Sequence, residues 1–330
     1  MSFEVRDLVK SYGDKVVVDH LNLKMDKPGV YALLGTNGAG KTTSIRMILG
    51  MLQKDSGDVL FNGKEMNPKE MNIGYLAEER GLYPKYSLID QLVYFASLKG
   101  VSRSDAMNRI KHWSSRLELD EYLFPPKSTN AKSKKKNKPK LADQLSKGNQ
   151  QKIQLMAALI SDPEFIILDE PMSGLDPVNT DLFKEVIREE IAKDKYVIMS
   201  SHQMPTIEEF CTDITILDHG KTVLQGNLNE IKKSYGRVNL IVKCEEDIEP
   251  AISEAGLSIV EKYPDSYHLR VSGEEQAMSF LRLLIDKRIT VIRFELREPS
   301  LHEIFVEKVG GYIGDNTGEK KEEGTDNEKE

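Results

Sequence analysis

The stretch Gly35-Thr36-Asn37-Gly38-Ala39-Gly40-Lys41-Thr42-Thr43 constrains this chain more than any other. It fits G-x-x-x-x-G-K-[ST], and its flanks supply the setting that pattern needs. Val30-Tyr31-Ala32-Leu33-Leu34 before it reads as a buried strand, and Lys41 to Leu52 after it as a helix. The glycines let successive backbone N–H groups turn inward around phosphate oxygens, and the helix start adds partial positive charge at the same spot. Lys41 can then reach the β- and γ-phosphates of a nucleotide, and Thr42 can offer its hydroxyl to Mg²⁺. The plainer alternative is a glycine turn that happens to precede a lysine, and only further motifs decide between the two.

The 330 residues are long enough for two domains. A net charge of −7 argues against non-specific nucleic-acid binding, so no nucleic-acid partner is expected. The two cysteines, Cys211 and Cys244, have no metal-ligand spacing and sit beside apolar residues. They read as buried free thiols in a reducing cytoplasm. The first residues form no apolar signal region, and no apolar run approaches the ~18 residues of a membrane span. Membrane work by this chain would have to go through a partner.

In chain order, Phe3 to Val9 alternates as a strand, Lys10 to Asp14 reads as a turn, and Val16–Val18 and Leu21–Met25 read as further strand pieces. These predict a small antiparallel sheet, with Tyr12 on a loop where it can stack on an adenine ring or pack on its own sheet. Gly57 to Gly63 and Ile73 to Arg80 read as strands, and Asp90–Leu98 and Ser104–Leu117 carry helical periodicity with Ser87 and Ser102 as caps. This predicts a helical subdomain over about residues 85–160. Within it, Lys127 to Lys140 is polar, lysine-rich and free of acids. It reads as a solvated loop, or alternatively as a contact to anionic lipid worth about 1 kcal/mol per lysine near the surface.

Leu145-Ser146-Lys147-Gly148-Asn149 opens a helix capped by Ser146 and running to about Ile160. The apolar run Phe165-Ile166-Ile167-Leu168 ends in Asp169-Glu170-Pro171, a buried parallel strand delivering two carboxylates where open α/β sheets bind ligands. Ser173 to Pro177 reads as a turn and Leu182 to Ile191 as a helix. Tyr196 to Ser201 reads as a strand ending at His202, and Ile214–Leu217 and Thr222–Gly226 as a strand pair. From about Tyr235 the pattern becomes β-α-β-β-α-β, a small ferredoxin-like α+β domain over 235–310, closed by a helix from Ser300 to Val309. Residues 311–330 read as an acidic disordered tail.

Together these motifs resemble the ATP-binding subunits of ABC transporters, over about residues 3 to 228. The resemblance implies an α/β P-loop ATPase core with antiparallel β and α-helical subdomains, spanning 1–230. It implies ATP and Mg²⁺ as cofactors, with Gly35, Thr36, Asn37, Gly38, Ala39, Gly40, Lys41, Thr42 and Thr43 around the phosphates and Tyr12 on the adenine. Asp169 and Thr42 would hold Mg²⁺, Glu170 would be the general base, and His202 would sit at the γ-phosphate. Ser146 and Gly148 would contact the ATP held by a second copy, and Asp176 would cross that dimer interface. On this footing, Asp169 and Glu170 as surface acids, or His202 as a core histidine, become the weaker readings.

Two positions depart from the family pattern. Glu78 stands where most members carry glutamine, and a carboxylate there still ligates Mg²⁺ but adds negative charge beside phosphates. Lys147 replaces the usual first glycine, while Ser146 and Gly148 remain. Glu-Glu-Arg-Gly-Leu-Tyr-Pro, Leu-Ser-Lys-Gly-Asn-Gln-Gln-Lys and the closing Glu-Pro-Ser-Leu-His-Glu-Ile-Phe look like the branch of ABC-2-type exporters that includes Nat-type sodium-efflux systems. That resemblance implies an ATPase dimer at the cytoplasmic face of the membrane, driving a multi-spanning permease that exports ions or small molecules such as Na⁺. An importer ATPase is the competing transport reading. A soluble ABC protein acting on ribosomes or DNA would carry two cassettes or a long coiled coil, and this chain has one P-loop and no sustained heptads. A P-loop kinase or GTPase would lack the Leu-Ser-x-Gly element.

Overall fold

The computed structural model describes residues 2–79, 81–125 and 140–314. The chain divides into two compact units, Met1–Gln225 and Gly226–Glu330.

In the first unit, β1 (Phe3–Tyr12) and β2 (Lys15–Met25) form an antiparallel hairpin. The turn is shorter than the sequence implied: Lys10 to Tyr12 continue β1, because cross-strand pairing rather than burial holds them. β2 is likewise one strand rather than two pieces. Next come β3 (Gly29–Gly35), α1 (Lys41–Ile48), β4 (Ser56–Phe61), β5 (Lys64–Glu65) and β6 (Ile73–Leu76). α2 (Leu88–Leu98) and α3 (Arg103–Arg116) start where Ser87 and Ser102 accept the N–H groups of Asp90 and Asp105. α4 (Asp120–Leu123) follows, and α5 (Lys147–Leu159) starts at its cap Ser146. The lysine block lies outside the described residues except Lys140, whose ammonium sits 4.6 Å from the Tyr122 ring centroid.

The unit closes with β7 (Phe165–Asp169), α6 (Pro177–Ile191), β8 (Tyr196–Ser201), α7 (Met204–Glu208), β9 (Asp213–Asp218) and β10 (Lys221–Asn227). α6 begins five residues before the expected Leu182. Asp176 caps it and Pro177 occupies its first turn, so the stretch that reads as a plain turn is a helix start.

Ten strands form one sheet in the order β5-β4-β1-β2-β10-β9-β3-β8-β7-β6. The expected small antiparallel sheet is therefore joined to the parallel one, with β10 lying parallel to β2 at Lys221 and Asp19. β3, β6, β7, β8 and β9 run parallel, and their residues are apolar on both faces because helices cover both. Val30 to Leu34 and Phe165 to Leu168 are all buried, each Val, Leu, Ile or Phe among them contributing roughly 1.5–3 kcal/mol. The register pairs Leu34 with Ser201 and Asp169 with Ser200, so β3, β7 and β8 end on the same edge.

The second unit holds α8 (Leu228–Tyr235), β11 (Asn239–Cys244), α9 (Glu249–Glu254), β12 (Ser258–Tyr263), β13 (Ser266–Arg270), α10 (Glu274–Asp286), β14 (Val291–Arg297) and α11 (Leu301–Gly314). Its antiparallel sheet runs β12-β13-β11-β14, the order a split β-α-β repeat produces. Leu240, Val242, Ile252, Leu269, Phe280 and Leu284 build its core. α11 runs past the expected Val309 to Gly314, taking in the first residues of the stretch read as tail. The remaining tail lies outside the described residues. Cys211 and Cys244 are free and half-buried. Burial pushes both thiols up, Cys211 to about 12.

Candidate functional site

The phosphate loop is wedged tightly from behind. A Cβ at Gly35 would lie 2.4 Å from the Leu217 carbonyl oxygen, and one at Gly40 2.7 Å from that of Val17. Both residues also have positive φ, so the loop shape requires glycine at these two positions. Gly38 faces open space, and Thr36 and Asn37 are exposed beside it. Ala39 is buried, its carbonyl accepting the Gly220 N–H at 3.1 Å, and Thr43 is half-buried on α1.

Lys41 is only 7% exposed. Its ammonium donates to the carbonyls of Gly35 at 2.9 Å and Thr36 at 3.2 Å, and lies 3.3 Å from Glu170 Oε1. Thr42 Oγ1 donates to Asp169 Oδ1 at 3.3 Å, and His202 Nδ1 is 2.9 Å from Glu170 Oε2. The P-loop helix, the Asp-Glu strand end and the strand-terminal histidine thus meet at one point.

Ser200 joins them and was not singled out from the sequence. Its hydroxyl donates to Asp169 Oδ1 at 2.5 Å and accepts the Glu170 N–H at 3.0 Å. Only the register of β7 against β8 puts it there; the sequence signal was a polar Ser-Ser ending an apolar strand beside His202. Asp169 is fully buried, and burial pushes its carboxyl up from the ordinary aspartate value. The Glu170 charge adds to this, while the bonds from Ser200 and Thr42 and the Lys41 charge oppose it. Glu170 has a left-handed φ of +49°, a strained conformation for a non-glycine residue.

Asp169 Oδ2 and Glu170 Oε1 are buried without a hydrogen-bond partner. An orphaned carboxylate oxygen next to a threonine hydroxyl is a hard-oxygen donor set that fits Mg²⁺. Glu78, exposed, lies two residues beyond β6. Its charge reaches the Tyr75 hydroxyl, which Asp169 and Arg46 also face. Tyr12, the last residue of β1, is 55% exposed, with the Lys10 ammonium 5.5 Å from its ring centroid.

A second cluster forms where α5 meets α6. Ser146 Oγ accepts the Asn149 N–H at 3.2 Å. A Cβ on Gly148 would stand 3.2 Å from Asn179 Nδ2. Asp176 accepts the backbone N–H of Asn179 at 3.0 Å and its side-chain amide at 2.5 Å, which holds the Asp176 carboxyl below its ordinary range.

Comparison with known proteins agrees with this geometry. Residues 18–173 match the family described as ABC transporter, and residues 226–309 match the family of the ATP-binding protein DrrA1-3-like C-terminal domain. An uncharacterised ABC transporter ATP-binding protein of Bacillus subtilis (strain 168), YhaQ, is 41% identical over 304 residues, covering 92% of this chain and 97% of that one. This chain is an ABC transporter ATP-binding protein. It belongs to the DrrA-like, ABC-2 exporter branch, and its ATP-binding core is an ATPase coupled to transport. The bacitracin transport ATP-binding protein BcrA of Bacillus licheniformis is 29% identical over 313 residues, covering 92% of this chain and 96% of the relative. A solved ATP-binding subunit of an ABC transporter superposes with a TM-score of 0.62 at 27% identity, covering 71% of this chain and 93% of that one.

Proposed function

We propose that this ABC ATPase powers export, working as a pair of identical copies beneath a multi-spanning permease at the cytoplasmic membrane face. The observation that carries export is the likeness to the Nod factor export ATP-binding protein I of Sinorhizobium fredii, 28% identical and aligned over 96% of this chain, so over both units. It supports small-molecule cargo; nothing in the site points to Na⁺ in particular. The test is transport in inside-out vesicles holding the permease: ATP-driven uptake into the lumen is expected. Movement of cargo out of the lumen would favour an importer instead.

In the proposed cycle the loop from Gly35 to Thr43 cradles the triphosphate and Tyr12 stacks on adenine. Glu170 takes the proton of the attacking water, and His202, bonded to Glu170, fixes its orientation. Lys41 lies near both the phosphates and the base, so it neutralises charge on either side of the transferred group. Asp169 and Thr42, joined by Glu78, would hold Mg²⁺, which supplies charge neutralisation at the phosphate oxygens. Ser200 keeps Asp169 and the Glu170 backbone in register. Ser146, Gly148 and Asp176 act on the ATP of the other copy.

An apolar groove of about 420 Å³ runs among Leu49, Met51, Tyr75, Leu82, Phe95 and Leu98. Exposed Tyr83, Tyr86 and Tyr94 lie on the adjoining loop and helix. This supports the stretch up to Tyr86 and the start of α2 as the permease contact; Arg80, part of the same reading, lies outside the described residues. The lysine block at 127–140 reads as a solvated loop or, alternatively, as a contact to anionic lipid: in the second case its deletion should weaken salt-sensitive vesicle binding without changing hydrolysis, and unchanged binding leaves the solvated loop.

A further inference from the structure

We infer that Lys152, which touches no part of the phosphate site, is a positioning residue that fixes the start of α5 for use by a second copy of this chain. The inference rests on the reading of Ser146 and Gly148 given above. Three lysines are buried among the described residues: Lys41, Lys152 and Lys195. Lys41 belongs to the phosphate loop, and Lys195 is tied to Asp162 and Glu190, each at 2.5 Å. Lys152 has no contact that close. Glu118 Oε2 stands 3.8 Å from its ammonium, and the charge of Asp176 also acts on it. Burial pushes its pKa down, and those two acids pull against that.

A buried ammonium in a helix costs stability that a leucine or methionine at the same position would not. What it provides here is orientation. Lys152 lies four residues after Gly148, one turn along the same face of α5. At Gly148 that face packs against Asn179, which is bonded to Asp176 at the start of α6. Glu118 ends the α3 segment in a left-handed conformation, φ +57°. The ammonium is therefore tethered to Glu118, an acid outside α5, and holds α5 against rotation about its axis. The direction in which Ser146 and the first-turn N–H groups point is set by that rotation.

The geometry also says what removing the charge would leave behind. Glu118 and Asp176 are exposed, so both stay hydrated without Lys152, and no buried unpaired charge remains. Lys152→Met should fold, and orientation is then what the experiment reads. The test uses the full chain carrying Glu170→Gln, to arrest the ATP-bound state. Fluorescent-ATP affinity, thermal unfolding and ATP-induced dimerisation by analytical ultracentrifugation are measured for Lys152→Met, Lys152→Gln and Lys152→Arg. For the two neutral variants, affinity should stay within about twofold of the parent. Their dimerisation should weaken by at least about tenfold. Lys152→Arg should restore dimerisation, since it keeps the charge.

Neutral variants that dimerise like the parent would overturn the inference, as would failure of arginine to restore dimerisation. Ser146→Arg in the same background separates the two levels. If it blocks dimerisation while Lys152→Met does not, only the role of Lys152 falls. If it dimerises normally, the reading of Ser146 falls and takes the role of Lys152 with it.

Discussion

The two units of the chain place charge in opposite ways. At the strand ends of the first unit, Asp169, Glu170 and Lys41 are buried, two carboxylate oxygens accept no hydrogen bond, and one backbone is strained. In the second unit most ion pairs lie on exposed side chains, such as Lys243 with Asp265, Arg237 with Glu274 and Lys287 with Glu254, although Arg297 Nε is buried there without a hydrogen-bond partner. Glu303 accepts the Ser300 N–H at 2.6 Å, closing a cap on α11. Buried, under-satisfied charge lowers stability and is kept where chemistry needs it. Exposed, satisfied charge fixes helix ends and registers at little cost. The contrast assigns catalysis to the first unit and structural roles to the charges of the second.

The strongest test of this division is Glu170→Gln. Loss of the base should cut ATP hydrolysis by about 10²–10⁴-fold, with ATP still bound; near-normal turnover would remove the catalytic half of the contrast. Lys41→Ala should weaken nucleotide binding by about 10- to 100-fold, the worth of lost charge-assisted hydrogen bonds. Unchanged fluorescent-ATP titration would reduce the loop to a structural turn. Glu78 stands between the two kinds of charge, exposed yet proposed as a Mg²⁺ ligand. Glu78→Gln should stay active and shift by a few-fold the Mg²⁺ concentration for half-maximal rate, since an amide ligates without charge. Superimposable Mg²⁺ curves would class it with the exposed pairs. The smallest effect belongs to the second unit. Glu303→Ala should cost about 1 kcal/mol through the lost cap, seen as a lower melting temperature, with hydrolysis unchanged. A large loss of hydrolysis in that variant would break the division.

What could be read from the sequence follows the same physics. Phe165 to Leu168 is a continuous apolar run because both faces are covered, so the strand and its two carboxylates stand out. The phosphate loop is legible because glycine is required by close backbone approach at Gly35 and Gly40. Ser200 was not legible as a site residue: a one-residue slip of β7 against β8 would put another side chain against Asp169. The extension of β1 through Tyr12 rests on pairing of half-exposed residues that carry no burial pattern. The merging of the antiparallel and parallel strands depends on a contact between Asp19 and Lys221, about 200 residues apart, that no local signal encodes. The early start of α6 was in the sequence, since Asp176-Pro177 is a cap followed by an N1 proline, but the helical periodicity becomes visible only later.

The left-handed backbone at Glu170 bears on how such a chain would age under mutation. Position 170 combines a conformation that suits glycine, near-complete burial and a charge that the Lys41 ammonium compensates. The backbone strain favours glycine there, while the ion pair resists loss of the carboxylate, since removing one partner leaves the other buried and unpaired. In a copy of the gene freed from the need to hydrolyse ATP, positions 170 and 41 would therefore be expected to change together, while the apolar strands stayed under pressure to fold.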